Sequence, residues 1–416
     1  MSILQPFRGI RPRPDLVAAV SCPPYDVVNT REARELAHGQ PLSFLPIIKP
    51  EIDLPDGADP YADEVYERGR ENLAKLREEG HFLQDKEPAF YLYRLTMDGR
   101  SQTGVVGQAS VDEYYEGLIK KHELTRPEKE DDRVNHMRAI DAQPEPVFLA
   151  YQAQPEIDAL VASLSQAEPE YAFMADDGVK HEWWTVADHE VTTRLRDLFS
   201  EVACFYVADG HHRTAAAARV GRERREANPD HLGSEPYNHL LAVVFPDDQL
   251  RILDYNRVVR DLNGLSEEEF LNRLGEEFEV GEPMGEVAKP KGLREFSLYL
   301  GGQWRALRVR EGRWDRVDPI GRLDVTLLSE RVLDEILGIT DLRRDKRIDF
   351  VGGIRGPEEL ARRVDSGEMA VAFLMYPVSM KDLLAIADAG QIMPPKTTWF
   401  EPKLRSGLVV RSLEEY

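Results

Sequence analysis

The sequence predicts a mixed α/β fold, with helices and strands sharing each compact unit, on three observations. An apolar strand from Ala203 to Ala208 runs through a polar turn at Asp209-Gly210 directly into an alanine-rich helix. Two β-rich stretches are punctuated by Asp98-Gly99 and by Gly301-Gly302, the turn residues of tight hairpins. Past Arg347, strand-like and helix-like stretches alternate: 347–351, 358–364, 369–375 and 380–387. At 416 residues the chain exceeds one ordinary core of about 100–200 residues, so at least two units are expected.

From the start, 7–14 is basic and punctuated by proline, and Ser21-Cys22-Pro23-Pro24-Tyr25-Asp26-Val27 is a loop whose backbone the two prolines restrict. Residues 61–79 place Val65, Leu73 and Leu76 at helical spacing among charges and stop at Gly80, an amphipathic helix. A hairpin over 89–95 and 103–109 leads into a polar stretch, 112–137. Strands are expected at 147–151 and around Trp183-Trp184, and helices at 157–165 and 191–199. Adjacent tryptophans suit a half-buried sheet better than a base-stacking surface. Strands at 238–245 and 250–254, joined by Asp247-Asp248, should return a sheet to the same core. Ser266 followed by three glutamates reads as a helix N-cap, which sets a boundary there: a first unit at 1–262 and a second α/β unit at 263–416. Within the second unit, 324–337 reads as a helix closed by Gly338, and 391–403 is a rigid, irregular segment expected to return to the active site.

Composition narrows the function. Lys and Arg number 53 against 75 Asp and Glu, a net charge of -22 that on average repels a polyanion, so no nucleic-acid partner is expected. The longest clean apolar run, Leu240–Phe245, is far short of the roughly 18 residues of a membrane span, so no membrane partner is expected either. The first residues carry no apolar stretch behind a basic start, and Cys22 and Cys204 cannot build a disulfide framework; both point to the cytoplasm. A homodimer is left open.

Two constellations carry chemistry. Asp209-Gly210-His211-His212-Arg213-Thr214 sits where a strand turns into a helix: helix N-terminal N–H groups attract an anion, Gly210 permits close approach, and Arg213 offers a planar fork of donors. Asp209 is suited to hold a divalent ion or orient a hydroxyl. Lys120-Lys121-His122-Glu123-Leu124-Thr125-Arg126, followed by Arg133 and His136, puts a carboxylate beside a histidine, a pairing for general-base work or metal control, with Arg126 and Arg133 available to phosphate oxygens. Lys396 is a further candidate for a phosphate or a substrate carboxylate, and Tyr25 and Asp26 are candidate substrate contacts from the proline loop. No Gly-x-x-x-x-Gly-Lys-Ser/Thr is present, so the chain is not a P-loop enzyme.

Five motifs in order, Phe-Arg-Gly-Ile-Arg-Pro (7–12), Pro-Pro-Tyr-Asp-Val (23–27), Lys-His-Glu-Leu-Thr (121–125), Ala-Asp-Gly-His-His-Arg (208–213) and Met-Pro-Pro-Lys-Thr-Thr-Trp-Phe-Glu-Pro-Lys (393–403), resemble the domain-of-unknown-function 1015 family over nearly the whole chain. The Asp-Gly-His-His-Arg turn also resembles that of the free serine kinases of the ParB and sulfiredoxin-like superfamily. That resemblance implies a ParB/sulfiredoxin-like core with large insertions. It implies phosphate binding by Gly210, His211, His212, Arg213 and Thr214, with Asp209 at the reacting centre, Glu123 as base and His122 beside it. Implied partners are ATP or ADP, Mg²⁺ on Asp209 and Glu123, and free L-serine or O-phosphoserine. Two rival readings are a metal-dependent hydrolase, phosphoserine phosphatase included, built on His122, His136, His211, His212 and Asp209, and a nucleotide-binding switch without catalysis.

Overall fold

The computed structural model describes residues 4–314 and 317–414, so the first three residues read above lie outside it. The chain forms two compact units: Met1–Leu250 together with Pro402–Tyr416, and Arg251–Glu401. Both are mixed α and β, as the alternation of patterns predicts.

The first unit is organised by a nine-stranded mixed sheet. In spatial order its strands are Ile119–Lys120, Phe205–Asp209, Val147–Tyr151, His239–Pro246, Arg100–Ser110, Phe90–Met97, Lys180–Val186 and Tyr171–Met174, with Leu4–Gln5 also on Arg100–Ser110. Pairing is antiparallel except between Phe205–Asp209 and Ile119–Lys120 and between His239–Pro246 and Val147–Tyr151. The predicted hairpin forms, with Met97 opposite Arg100 and Asp98 and Gly99 both at positive φ, the backbone of a two-residue turn that matches strand twist. Helix His211–Ala227 lays its alanines against this sheet: Ala216 and Ala217 pack with Val147, Leu149, Val207 and Val244. Small side chains let the helix axis approach the strands closely. A second cluster gathers Ile10, Val20, Phe44, Ile47, Leu73, Phe82 and Val410 around helix Asp63–Glu78, the amphipathic helix read from the sequence. Trp183 is 1% exposed and stacks on Tyr171, and Trp184 donates its ring N–H to Ala167 O at 2.8 Å, so both are sheet and core residues.

The second unit holds a six-stranded sheet, wholly antiparallel, in the order Phe278–Val280, Gln303–Val309, Glu295–Leu300, Val371–Leu374, Tyr255–Val259, Ile348–Gly352. Ser266 caps helix Glu267–Glu277 with Glu269 reaching back, as its position predicts.

Two expectations for this part of the chain need correction. The stretch after Asp247-Asp248 does not return to the first sheet: Ile252–Leu253 pairs with Trp399–Phe400, and Tyr255–Val259 lies inside the second sheet. The unit division accordingly falls at Leu250/Arg251 and the last residues belong to the first unit, against the expected division at 262. The cause is legible at Asn256 and Arg257. Both are fully buried in that strand and are held by hydrogen bonds inside the second unit, with Asn256 Oδ1 accepting from Met375 N at 2.9 Å, Asn256 Nδ2 donating to Asp254 Oδ2 at 2.6 Å and Arg257 donating to Lys396 O at 3.0 Å. Two polar residues thereby disguise a core strand. The helix expected at 324–337 is present, as an α-helix at Asp324–Leu328 that continues as a π-helix at Ser329–Asp334.

Candidate active site

The turn after strand Phe205–Asp209 is built by Gly210, at φ +89°, a conformation that L side chains rarely adopt. A Cβ there would also lie 3.1 Å from Arg213 Nε, because the guanidinium folds back over this residue. Thr214 is fully buried and donates its hydroxyl to Gly210 O at 3.0 Å, so it fastens the turn. Helix His211–Ala227 starts with no side-chain cap.

Asp209 closes the strand. Its Oδ1 accepts the Gly210 N–H at 2.8 Å and its Oδ2 accepts Lys403 Nζ at 2.8 Å. Burial alone would push this carboxyl up, but Lys403, Arg213 and the Gly210 N–H together hold it well below the usual carboxylate range. Asp209 is therefore an anion between two fixed cations. Lys403 is held there by the returning tail: Cys22 and Ser406 exchange backbone hydrogen bonds at 3.1 and 2.9 Å, and Ile10 bridges Val410. Ser406 Oγ donates to Glu145 Oε1 at 2.7 Å.

Glu145 links the tail to the proline loop, since the same oxygen accepts Tyr25 N at 3.2 Å. The Tyr25 ring lies under two cations, 4.1 Å from the Arg133 guanidinium and 6.0 Å from that of Arg213. Burial first, then the nearby Asp26 charge, raises its hydroxyl above the ordinary tyrosine value. Arg213 donates to Pro146 O at 2.8 Å. Burial works against its charge, but Glu145, Asp26 and Asp209 more than offset it. Arg133 spends two donors on Asp132 at 3.1 and 2.8 Å, and so presents its planar face to Tyr25.

The second constellation comes to the same turn. His122 and His211 meet edge to face with ring centroids 4.5 Å apart. Ligand atoms of His122, Glu123 and His211 all lie within 4.8 Å of one another. Burial pushes His122 down to about 3 and His211 down to about 4, so both imidazoles are neutral at pH 7. Neutral imidazoles and a carboxylate are the donors a metal ion takes. Arg126 N–H donates to His212 Nε2 at 3.1 Å, which ties the loop to the helix.

The expected residues thus fall into distinct places. Asp209, Gly210, His211, His212, Arg213 and Thr214 form the turn, His122 and Glu123 stand against His211, and Tyr25, Asp26 and Arg133 surround Arg213. His136 is not with them: its Nε2 pairs with Ile47 O at 2.7 Å beside Tyr66, which takes it out of the histidine set of the hydrolase reading. Lys396 belongs to the second unit, where its ammonium lies 5.7 Å from the Tyr255 ring centroid. The lysine on Asp209 is Lys403, the last residue of the 393–403 motif, which no local pattern marks as a site residue. Glu145 joins the site as well, and the signal for it in the sequence is its place between Pro144 and Pro146, which restrict the backbone there.

No helix among the described residues is long and apolar enough to cross a membrane. Among solved structures, a free serine kinase in complex with AMP matches at 16% identity and TM-score 0.35, over 71% of this chain and 86% of that one. A conserved hypothetical protein from Pyrococcus furiosus matches at 14% identity and TM-score 0.35, over 74% and 95%. SbnI with a C-terminal truncation, from Staphylococcus aureus, matches at 12% identity and TM-score 0.39, over 74% and 89%. No curated protein matches the chain. The model of the family described as "Protein of unknown function (DUF1015)" matches residues 4–326, and the chain belongs to that family.

Proposed function

We propose that the protein is a phosphotransferase that moves a phosphoryl group between a nucleotide, ATP or ADP, and the hydroxyl of a small metabolite, with free L-serine and O-phosphoserine as the substrate pair. The observation that carries this reading is the turn at 209–214, where an ionised Asp209 is held between Lys403 and Arg213 at the start of an uncapped helix. Phosphoryl transfer asks mainly for positioning and for neutralisation of charge spread over the equatorial oxygens. Lys403, Arg213 and the N–H groups of the first helical turn supply fixed positive charge with no reorganisation. The resemblance of the Asp-Gly-His-His-Arg turn to that of free serine kinases supplies the choice of nucleotide and serine.

In the forward direction the serine Oγ–P bond forms as the bond from the γ-phosphorus to the bridging oxygen breaks. Glu123 takes the hydroxyl proton, and ADP leaves with the bond's electron pair. Asp209 orients donors around the reacting oxygens without giving up its own charge. A Mg²⁺ ion prefers about six oxygen ligands near 2.1 Å. The donors gathered beside the turn are two imidazoles and one carboxylate, which do not fit that ion, so no step is routed through it. The same three donors favour one second reading, metal-dependent hydrolysis of a phosphomonoester.

Phosphorus NMR of the protein with L-serine plus ATP, and with O-phosphoserine plus ADP, tests both. Phosphoserine formed together with ADP, abolished by Asp209→Ala and Glu123→Ala in folded protein, is the expected result. Inorganic phosphate released from phosphoserine without nucleotide selects hydrolysis, and unchanged spectra in both mixtures reject the phosphotransferase reading.

A further inference from the structure

We infer that His122, Glu123 and His211 form a binding site for one first-row divalent transition cation of the Mn²⁺ and Zn²⁺ class, in preference to Mg²⁺. The inference rests on the side chains themselves and not on the phosphotransfer reading.

Two segments far apart in the chain deliver these donors to one place, the loop after strand Ile119–Lys120 and the first turn of helix His211–Ala227. Parallel pairing of Phe205 with Ile119 and of Tyr206 with Lys120 sets the two segments side by side, so His122-Glu123 leaves one strand where Asp209-Gly210-His211 leaves the next. His211 is 9% exposed, yet its Nε2 makes no hydrogen bond among the described residues. A buried polar nitrogen left without a partner is a costly feature that a ligand relieves. Glu123 stays partly exposed, which gives a cation a way in.

The ligand atoms lie within 4.8 Å of one another. Ligands on a tetrahedral cation with bonds of about 2.1 Å stand roughly 3.4 Å apart, so binding draws the three together by at most about 1.4 Å. Rotation of the partly exposed Glu123 side chain covers much of that distance. Two imidazoles with one carboxylate form a borderline set that suits Zn²⁺, Mn²⁺ or Fe²⁺, whereas Mg²⁺ takes oxygens almost exclusively. Three protein ligands leave further positions open, to water or to an oxygen of a bound phosphate or carboxylate.

The test is calorimetric titration of the full chain, stripped with chelator and dialysed, with ZnCl₂, MnCl₂ and MgCl₂. Loss of the free Mn²⁺ spin-resonance signal provides a second readout. One equivalent of Zn²⁺ or Mn²⁺ is expected to bind at a shared site, with Mg²⁺ at least about 100-fold weaker. His211→Ala and Glu123→Gln should each weaken Mn²⁺ binding at least tenfold, while His189→Ala, on another helix, leaves it unchanged. Mg²⁺ binding as tightly as Mn²⁺, or both site variants binding like the unaltered chain, overturns the inference. If His211→Ala does not fold, Glu123→Gln decides, because that side chain is partly exposed. Nucleotide and serine are absent from these titrations, so a failed transfer reaction does not touch their outcome.

Discussion

Lys403→Met removes one cation from Asp209 while keeping most of the side-chain volume, and the structure fixes both the size and the pH dependence of the effect. Removing one partner of a buried ion pair costs about 3–5 kcal/mol. Here the side chains keep 16% and 25% of their exposure, and Arg213 remains as a second cation near the carboxylate. That lowers the expected cost to about 2 kcal/mol, or a fall in the first unit's thermal midpoint of about 4–8 °C. In the unaltered chain the carboxyl is held below its unfolded value of about 3.9, so its stabilisation is complete above that pH and is lost as pH falls through the lower folded value. Without Lys403, burial pushes the carboxyl upward. The gap between the two proteins should therefore be widest at pH 7 and shrink toward pH 4. Melting followed by the fluorescence of Trp183 and Trp184, both in the first unit's sheet, reads this directly. Lys403→Arg should recover most of the stability by retaining the charge. A midpoint lowered by less than 2 °C at pH 7, with the same acid limb as the unaltered chain, would refute the assignment of Lys403 as the cation that holds Asp209 ionised.

Two further outcomes follow from the same geometry. Gly210→Ala forces a Cβ onto a backbone at φ +89° and within 3.1 Å of Arg213 Nε, so it should cost about 1–2 kcal/mol and displace the guanidinium; loss of transfer activity larger than the loss of stability checks it by paired melting and phosphorus NMR. For pH, burial holds His122 at about 3 and His211 at about 4, below the unfolded value of about 6.5. Their neutral forms stabilise the fold fully above about 6.5, and that contribution falls away as pH drops toward 4; a urea midpoint at pH 5 equal to that at pH 7.5 would contradict this.

The strand, turn and helix at 203–227 were legible because everything that builds them is local: an apolar strand, a glycine where the backbone needs positive φ, then alanines suited to close packing. The hairpin at Asp98-Gly99 and the cap at Ser266 were legible for the same reason. Tyr255–Val259 was not, since a core strand that buries Asn256 and Arg257 breaks the apolar pattern, and two of the groups that receive them, Met375 N and Lys396 O, are more than a hundred residues away in sequence. His136 shows the opposite failure. It stands in a polar run beside Arg133 and so resembles a ligand, yet its ring is spent on Ile47 O.

The site divides along the same line. Residue types at 209–214 make this turn a candidate anion site from the sequence alone, because a helix N-terminus, a glycine and an arginine are supplied locally. What state Asp209 adopts there depends on Lys403, 194 residues away, and on a tail whose path runs through Cys22, Ile10 and Glu145. Such a carboxylate could equally have been neutral. Burial pushes its proton affinity up, two cations push it down, and only the fold decides which set prevails. Whether Asp209 is an anion or carries a proton is therefore a tertiary property of this chain, and Glu123, which lies outside that cation pair and keeps partial exposure, is the carboxylate that stands with His122 and His211.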